Sequence, residues 1–162
     1  MAKRKERIGV FEANPEKASA KVSINTFMIG SLFMILTIVW TLNPEKFSIL
    51  IMAQLVLAIP LLFVSSLAYA KIGYWKEHKL WDTYGWFTNN FGNLLVLNVV
   101  GLMTATIFRS IALAYFALII MLMVTYSMIN IKYNPHKMTE KILKFLFLLA
   151  IIFLGGVLPI SI

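Results

Sequence analysis

The sequence predicts an all-α fold: a polytopic helical membrane bundle of about five transmembrane helices, with a short interfacial aromatic-rich segment. Three observations carry that expectation. Of 162 residues, 60% are hydrophobic and only 14% are charged, against about a quarter charged in soluble domains. So little polar surface cannot wrap a water-soluble globule of this size, and the mean hydropathy of +0.81 agrees. Second, the apolar residues come in long uncharged runs of the length that crosses hydrocarbon. Third, the basic residues behind the net charge of +8 gather at the ends of those runs rather than on one face.

Residues 1–21 read as a basic cytoplasmic tail and 22–162 as a single transmembrane helical domain. The first apolar run begins too far from the start for an ordinary secretory signal, and no small-residue cleavage site follows it. Span one is expected over Ile24 to Leu42, close to the length that roughly 30 Å of hydrocarbon demands. Asn43-Pro44-Glu45-Lys46 is a tight turn, because Asn-Pro starts turns and Pro44 can open the next helix. Span two covers Phe47 to Ala70, with Pro60 expected to kink it. The polar stretch Lys71 to Asn90 holds Tyr74, Trp75, Trp81, Tyr84, Trp86 and Phe87, the residue types that settle at the membrane–water boundary. Part of it is expected to form a short interfacial helix.

Span three is expected over Phe91 to Phe108 and span four over Ser110 to Ile131, with Arg109 the only charge between them. One straight helix over both would reach about 60 Å, twice the hydrocarbon thickness, so a tight hairpin at Arg109 is the better reading. The alternative makes span three a shorter re-entrant element. Tyr133-Asn134-Pro135 stops span four, and span five covers Ile142 to Ile162, where Gly155-Gly156 and Pro159 make its last part a poor straight helix.

Lys and Arg set the orientation. The tail holds Lys3, Arg4, Lys5, Arg7, Lys17 and Lys21; the loop after span two holds Lys71, Lys76 and Lys79; the loop after span four holds Lys132, Lys137, Lys141 and Lys144. The opposite side holds only Lys46 and Arg109. The positive-inside rule therefore places the chain in the plasma (inner) membrane with its N-terminus in the cytoplasm and its C-terminus outside. The expected partners are the lipid bilayer, anionic headgroups at the basic loops, and other membrane subunits or further copies of the chain. Nucleic acid is not expected, since no basic face exists to follow a phosphate backbone.

With no cysteine, disulfides, thiolate metal sites, cysteine nucleophiles and iron–sulfur clusters are excluded. The two histidines, His78 and His136, both fall in loops, so haem ligated from facing spans is not expected. No cofactor is expected. No Asp, Glu, Lys, Arg or His lies in the middle of any span, which argues against a proton-coupled pump but leaves open a transporter that uses backbone groups at broken helices.

Two groups of candidate site residues remain. At the interface, Glu77, His78 and Asp82 mix an acid and a base, with His78 and Asp82 on one face if the segment is helical. The simpler reading is the wet side of an amphipathic segment. The run Thr83 to Asn93 adds Asn89, Asn90 and Asn93, either as a cap for span three or as a pocket for a polar headgroup. Within the spans, Gln54, Ser65, Asn98, Tyr115 and Tyr126 lie on stripes at helical spacing. Interhelical hydrogen bonding is the ordinary role of such groups; the sharper reading is the polar lining of a path.

The composition fits a small multi-pass membrane protein, read first as a non-catalytic subunit, scaffold or assembly factor of a membrane complex. The alternative is a small oligomeric transporter or channel with an amide-lined path. An interfacial enzyme acting through Glu77, His78 and Asp82 is the third reading.

Overall fold

The seam between the first two helices can be traced directly in the sequence. Ala18, Val22, Asn25, Ile29, Leu32, Leu36 and Val39 follow one another at alternating steps of four and three, and so do Ile51, Leu55, Ala58, Leu62, Ser65, Tyr69 and Ile72. That spacing keeps one face of each helix turned toward its partner along the whole length. The computed structural model, which describes residues 15–42, 47–72, 79–133 and 138–162, buries both seams against each other.

The described chain is an all-α bundle of five long helices. α1 spans Pro15–Leu42, α2 Ile49–Ile72, α3 Lys79–Ala105 and α4 Arg109–Tyr133. α5 (Met138–Ile152) continues through a π-helical turn, Phe153–Val157, into the short α6, Leu158–Ser161. Neighbours in sequence run antiparallel. Asn25 meets Leu62 and Ser65, Gly85 lies by Tyr69 while Gly92 lies by Leu62, Tyr115 meets Leu97, and Lys141 meets Asn130. Four helical stretches are long and apolar enough to cross a membrane: Ala18–Thr41, Ile49–Ile72, Arg109–Tyr133 and Met138–Ser161. Their outer faces carry Phe27, Phe33, Trp40, Phe63, Leu118 and Met128, all exposed. Large apolar side chains outside and amides inside is the arrangement a bilayer selects.

α3 is the exception in composition and the centre of the packing. It contacts α2, α4 and α5, and its Leu94, Leu95, Val99 and Leu102 form the middle of the core with Leu55, Leu62 and Phe116. Its asparagines make it less apolar than its neighbours, and shelter among them removes the need for it to be otherwise. Its 27 residues form one unbroken helix about 40 Å long, well beyond the 91–108 stretch read from the sequence.

The boundaries of α3 differ from those read in the sequence. The helix runs unbroken from Lys79 through the Asn90–Phe91 junction, so the residues from Lys79 to Asn90 are its first half and not a separate interfacial helix. Asn89 and Asn90 accordingly lie in the helix interior and cap nothing. The reason is local. Thr88 Oγ1 donates to the Tyr84 carbonyl at 2.9 Å and Asn90 Nδ2 to the Trp86 carbonyl at 2.6 Å, so these polar side chains bond back along the helix instead of competing with it. Asp82, in the first turn, favours the helix start through the macrodipole.

The hairpin at Arg109 is present. α3 ends at Ala105, the Phe108 N–H donates to the Thr104 carbonyl at 2.8 Å, and α4 opens at Arg109. Arg109 Nη2 reaches across to the Ser161 carbonyl at 3.1 Å, tying the hairpin to the end of α6. At the opposite end, Lys141 is buried and its Nζ donates to the Asn130 carbonyl at 2.6 Å in the last turn of α4. A cation there satisfies a helix-terminal carbonyl and complements the dipole.

Candidate functional site

Polar side chains inside the bundle gather at two levels. The deeper one joins α2, α3 and the broken end of α5. Gln54 is 5% exposed and Asn98 0%. Gln54 Nε2 donates to the Gly155 carbonyl at 2.8 Å, and Asn98 Nδ2 donates to the Ile151 carbonyl at 3.1 Å. The choice of carbonyls follows from the chain. Pro159 has no N–H, so the carbonyl four residues before it, that of Gly155, loses its regular helical donor. The π turn over Phe153–Val157 disturbs the ladder again one turn earlier. Gln54 supplies a donor where Pro159 cannot, and Asn98 gives one to a carbonyl just ahead of the π turn. Gly155 and Gly156 make the approach possible, because a Cβ on Gly155 would collide with Asn98 Nδ2 and one on Gly156 would sit 2.7 Å from Asn98 Oδ1.

Phe116 of α4 closes this level. Its ring fits between Gly101 of α3 and Gly156 of the π turn, and a Cβ on either glycine would overlap it. Tyr115, beside it, donates its hydroxyl to the Leu97 carbonyl at 3.1 Å.

The second level lies toward the end where α1 and α3 begin and α2 finishes. Asn25 Nδ2 donates to Ser65 Oγ at 3.3 Å and to the Leu62 carbonyl at 3.4 Å; Ser65 Oγ donates to the Gly85 carbonyl at 3.0 Å. One chain of hydrogen bonds thus crosses α1, α2 and α3. Nearer the helix ends, Lys21 Nζ donates to the Tyr69 hydroxyl at 2.9 Å. Ser65→Ala is expected to lower stability by about 1 kcal/mol, since it strips the Gly85 carbonyl of a donor and the Asn25 amide of an acceptor. A thermal unfolding midpoint in detergent reads this, and an unchanged midpoint would show the chain of bonds to be idle.

The sequence-derived candidates therefore separate. Gln54, Asn98 and Tyr115 come together at the deeper level, and Ser65 sits at the other. Tyr126 is 72% exposed on the outer side of α4, away from all of them. Asp82, Asn89, Asn90 and Asn93 share α3, with only Asn90 bonded along its own helix. Glu77 and His78 lie outside the described residues, so their proposed pairing with Asp82 has no geometry here. Among the described residues no group of three or more His, Asp or Glu side chains is placed to hold a metal ion.

Asn25 and Tyr69 were not singled out by sequence reasoning. Asn25 sits at the rim of its apolar run, where an amide attracts no notice. The signal that would have found it is its register: it stands seven residues from both Ala18 and Leu32 on the α1 seam, where a polar residue must find an interhelical partner.

The buried amides share one further property. The oxygens of Asn25, Gln54, Asn89, Asn93 and Asn98 are buried and accept no hydrogen bond. No protein-family model, curated protein or solved structure matches the chain.

Proposed function

We propose that this chain is a non-catalytic subunit, scaffold or assembly factor of a membrane complex. It crosses the plasma (inner) membrane five times, with α3 as the sheltered crossing, its N-terminus in the cytoplasm and its C-terminus outside. The observation that carries this reading is the use made of the intramembrane amides. Gln54, Asn98, Asn25 and Ser65 direct their donors at carbonyls and hydroxyls of neighbouring helices, which is how a bundle is held together. The orientation is supported by Lys71, Lys132, Lys141 and Lys144 at one end of the helices and Arg109 at the other.

Purification in mild detergent from membranes at native abundance, followed by native mass measurement, tests this. The expected result is a second, different chain at fixed stoichiometry. A particle built from this chain alone would overturn the subunit reading.

The alternative, a small oligomeric transporter or channel with an amide-lined path, is favoured by one observation. The Gln54 and Asn98 oxygens converge on the helix break at Gly155-Gly156 without donors of their own, and broken helices are where transporters place polar substrates.

A further inference from the structure

Every buried side-chain polar atom left without a partner among the described residues is an amide oxygen, and no donor is left over. Two of those oxygens meet at one place. Gln54 Oε1 lies 3.2 Å from where a Gly155 Cβ would stand, and Asn98 Oδ1 lies 2.7 Å from where a Gly156 Cβ would stand. Gln54 is 5% exposed and Asn98 0%. Both amide nitrogens donate elsewhere, to the Gly155 and Ile151 carbonyls, so each side chain brings a bare acceptor to the break in the last helix.

The backbone adds a third acceptor. The Leu158 N–H donates to the Phe153 carbonyl, five residues back. Pro159 has no N–H to offer in its stead. The Leu154 carbonyl thus loses its regular donor in the same π turn as Gly155. α5 ends at Ile152, so the negative end of its dipole faces this turn. Acceptors without donors, at a depth that bulk water does not reach, are complementary to a cation.

We propose that this cluster binds one sodium ion, held by Gln54 Oε1, Asn98 Oδ1 and the Leu154 carbonyl. The charge of the ion follows from its ligands. Divalent cations are bound through carboxylates, and no Asp or Glu occurs in residues 49–72, 83–133 or 141–162. Its size follows from the packing. Potassium is held by whole rings of carbonyls. Here two side chains and one turn of backbone close so tightly that a methyl on either glycine would overlap a neighbour. Unwound carbonyls and helix C-terminal ends are what hold sodium at broken membrane helices. The ion would join α2, α3 and the last helix at one point. The site does not depend on whether the chain is a subunit or a transporter, since the first would use the ion to fix the helix break and the second to drive a substrate.

The test uses the full chain in mild detergent. It is unfolded thermally in sodium, potassium or choline chloride at equal ionic strength, and the transition is followed by circular dichroism. The midpoint is expected to rise saturably with sodium, by roughly 5 °C at about a hundred times the dissociation constant. It should rise less with potassium and not at all with choline. A scintillation proximity assay with radioactive sodium should count one ion per chain. Gln54→Leu and Asn98→Leu should each abolish the difference between sodium and choline. That difference is taken within each variant, so a general loss of stability cancels. If a leucine variant does not fold, Gln54→Lys keeps a donor for the Gly155 carbonyl while removing the oxygen, and it should lose the difference as well. Equal midpoints in sodium and choline would mean that water satisfies the two oxygens, and would overturn the proposal. So would a potassium response that matches sodium, an absence of saturable sodium binding, or a sodium response that survives loss of either oxygen. All of these outcomes read ion binding alone; the subunit reading is decided by whether a second chain co-purifies, and the transporter reading by flux.

Discussion

Gly101→Ala and Gly156→Ala are each expected to destabilise the bundle by about 2–3 kcal/mol, the upper part of the range for overpacking a filled core. An added methyl at either position lands on the Phe116 ring, and at Gly156 it also lies 2.7 Å from Asn98 Oδ1. A ring pinched from one side could swing away. This one is held from both sides, by α3 at Gly101 and by the π turn at Gly156, so neither move is open. The check is a double-mutant cycle, with unfolding followed by circular dichroism in mixed detergent. Phe116→Leu shortens the offending group, so Gly101→Ala should cost at least about 1 kcal/mol less in that background than alone. Strictly additive effects would show that the glycines matter for something other than the ring.

The second large effect separates the two functional readings. Gln54→Leu and Asn98→Leu remove the donors of the Gly155 and Ile151 carbonyls, and each is expected to cost roughly 2 kcal/mol, the penalty of a buried carbonyl left without a partner. For Gln54 the cost should depend on Pro159. In a Pro159→Ala background the backbone regains an N–H four residues after Gly155, so Gln54→Leu should lose at least half its effect. Asn98→Leu should keep its cost in that background, because Ile151 lies a turn away. If the double leucine variant folds as well as the parent and loses a transport activity instead, the amides line a path and the subunit reading fails.

The fold was legible where local chemistry decides it. The hairpin at Arg109 followed from arithmetic, since no bilayer accommodates an unbroken helix through Phe108 and Ser110. The irregular end of the last helix followed from Gly155-Gly156 and Pro159, which weaken or remove helical hydrogen bonds wherever they stand. The boundary at Asn90 was misplaced because asparagine and glycine argue for a break only when nothing nearby satisfies them. Here Thr88 and Asn90 bond back to their own helix, and Gly85 and Gly92 lie against the side chains of α2.

The candidate site was legible in residue type but not in grouping. Gln54 and Asn98 stood out as amides in apolar runs. Nothing in their spacing, however, says that both aim at backbone carbonyls more than fifty residues further along the chain. Nor could spacing separate Tyr115, which bonds into the core, from Tyr126, eleven residues on and lying on the outer surface.

The sequence by itself determined that this chain belongs in a membrane, that it turns at Arg109, and where its positive charge gathers. Those are properties of composition and of short-range backbone chemistry. Only the tertiary structure decided which amides are spent inside the chain and which are left over. A side-chain hydrogen bond depends on the neighbour that packing brings within about 3 Å, and packing placed Asn98 against the helix break while leaving the buried oxygens of Asn89 and Asn93 without a donor.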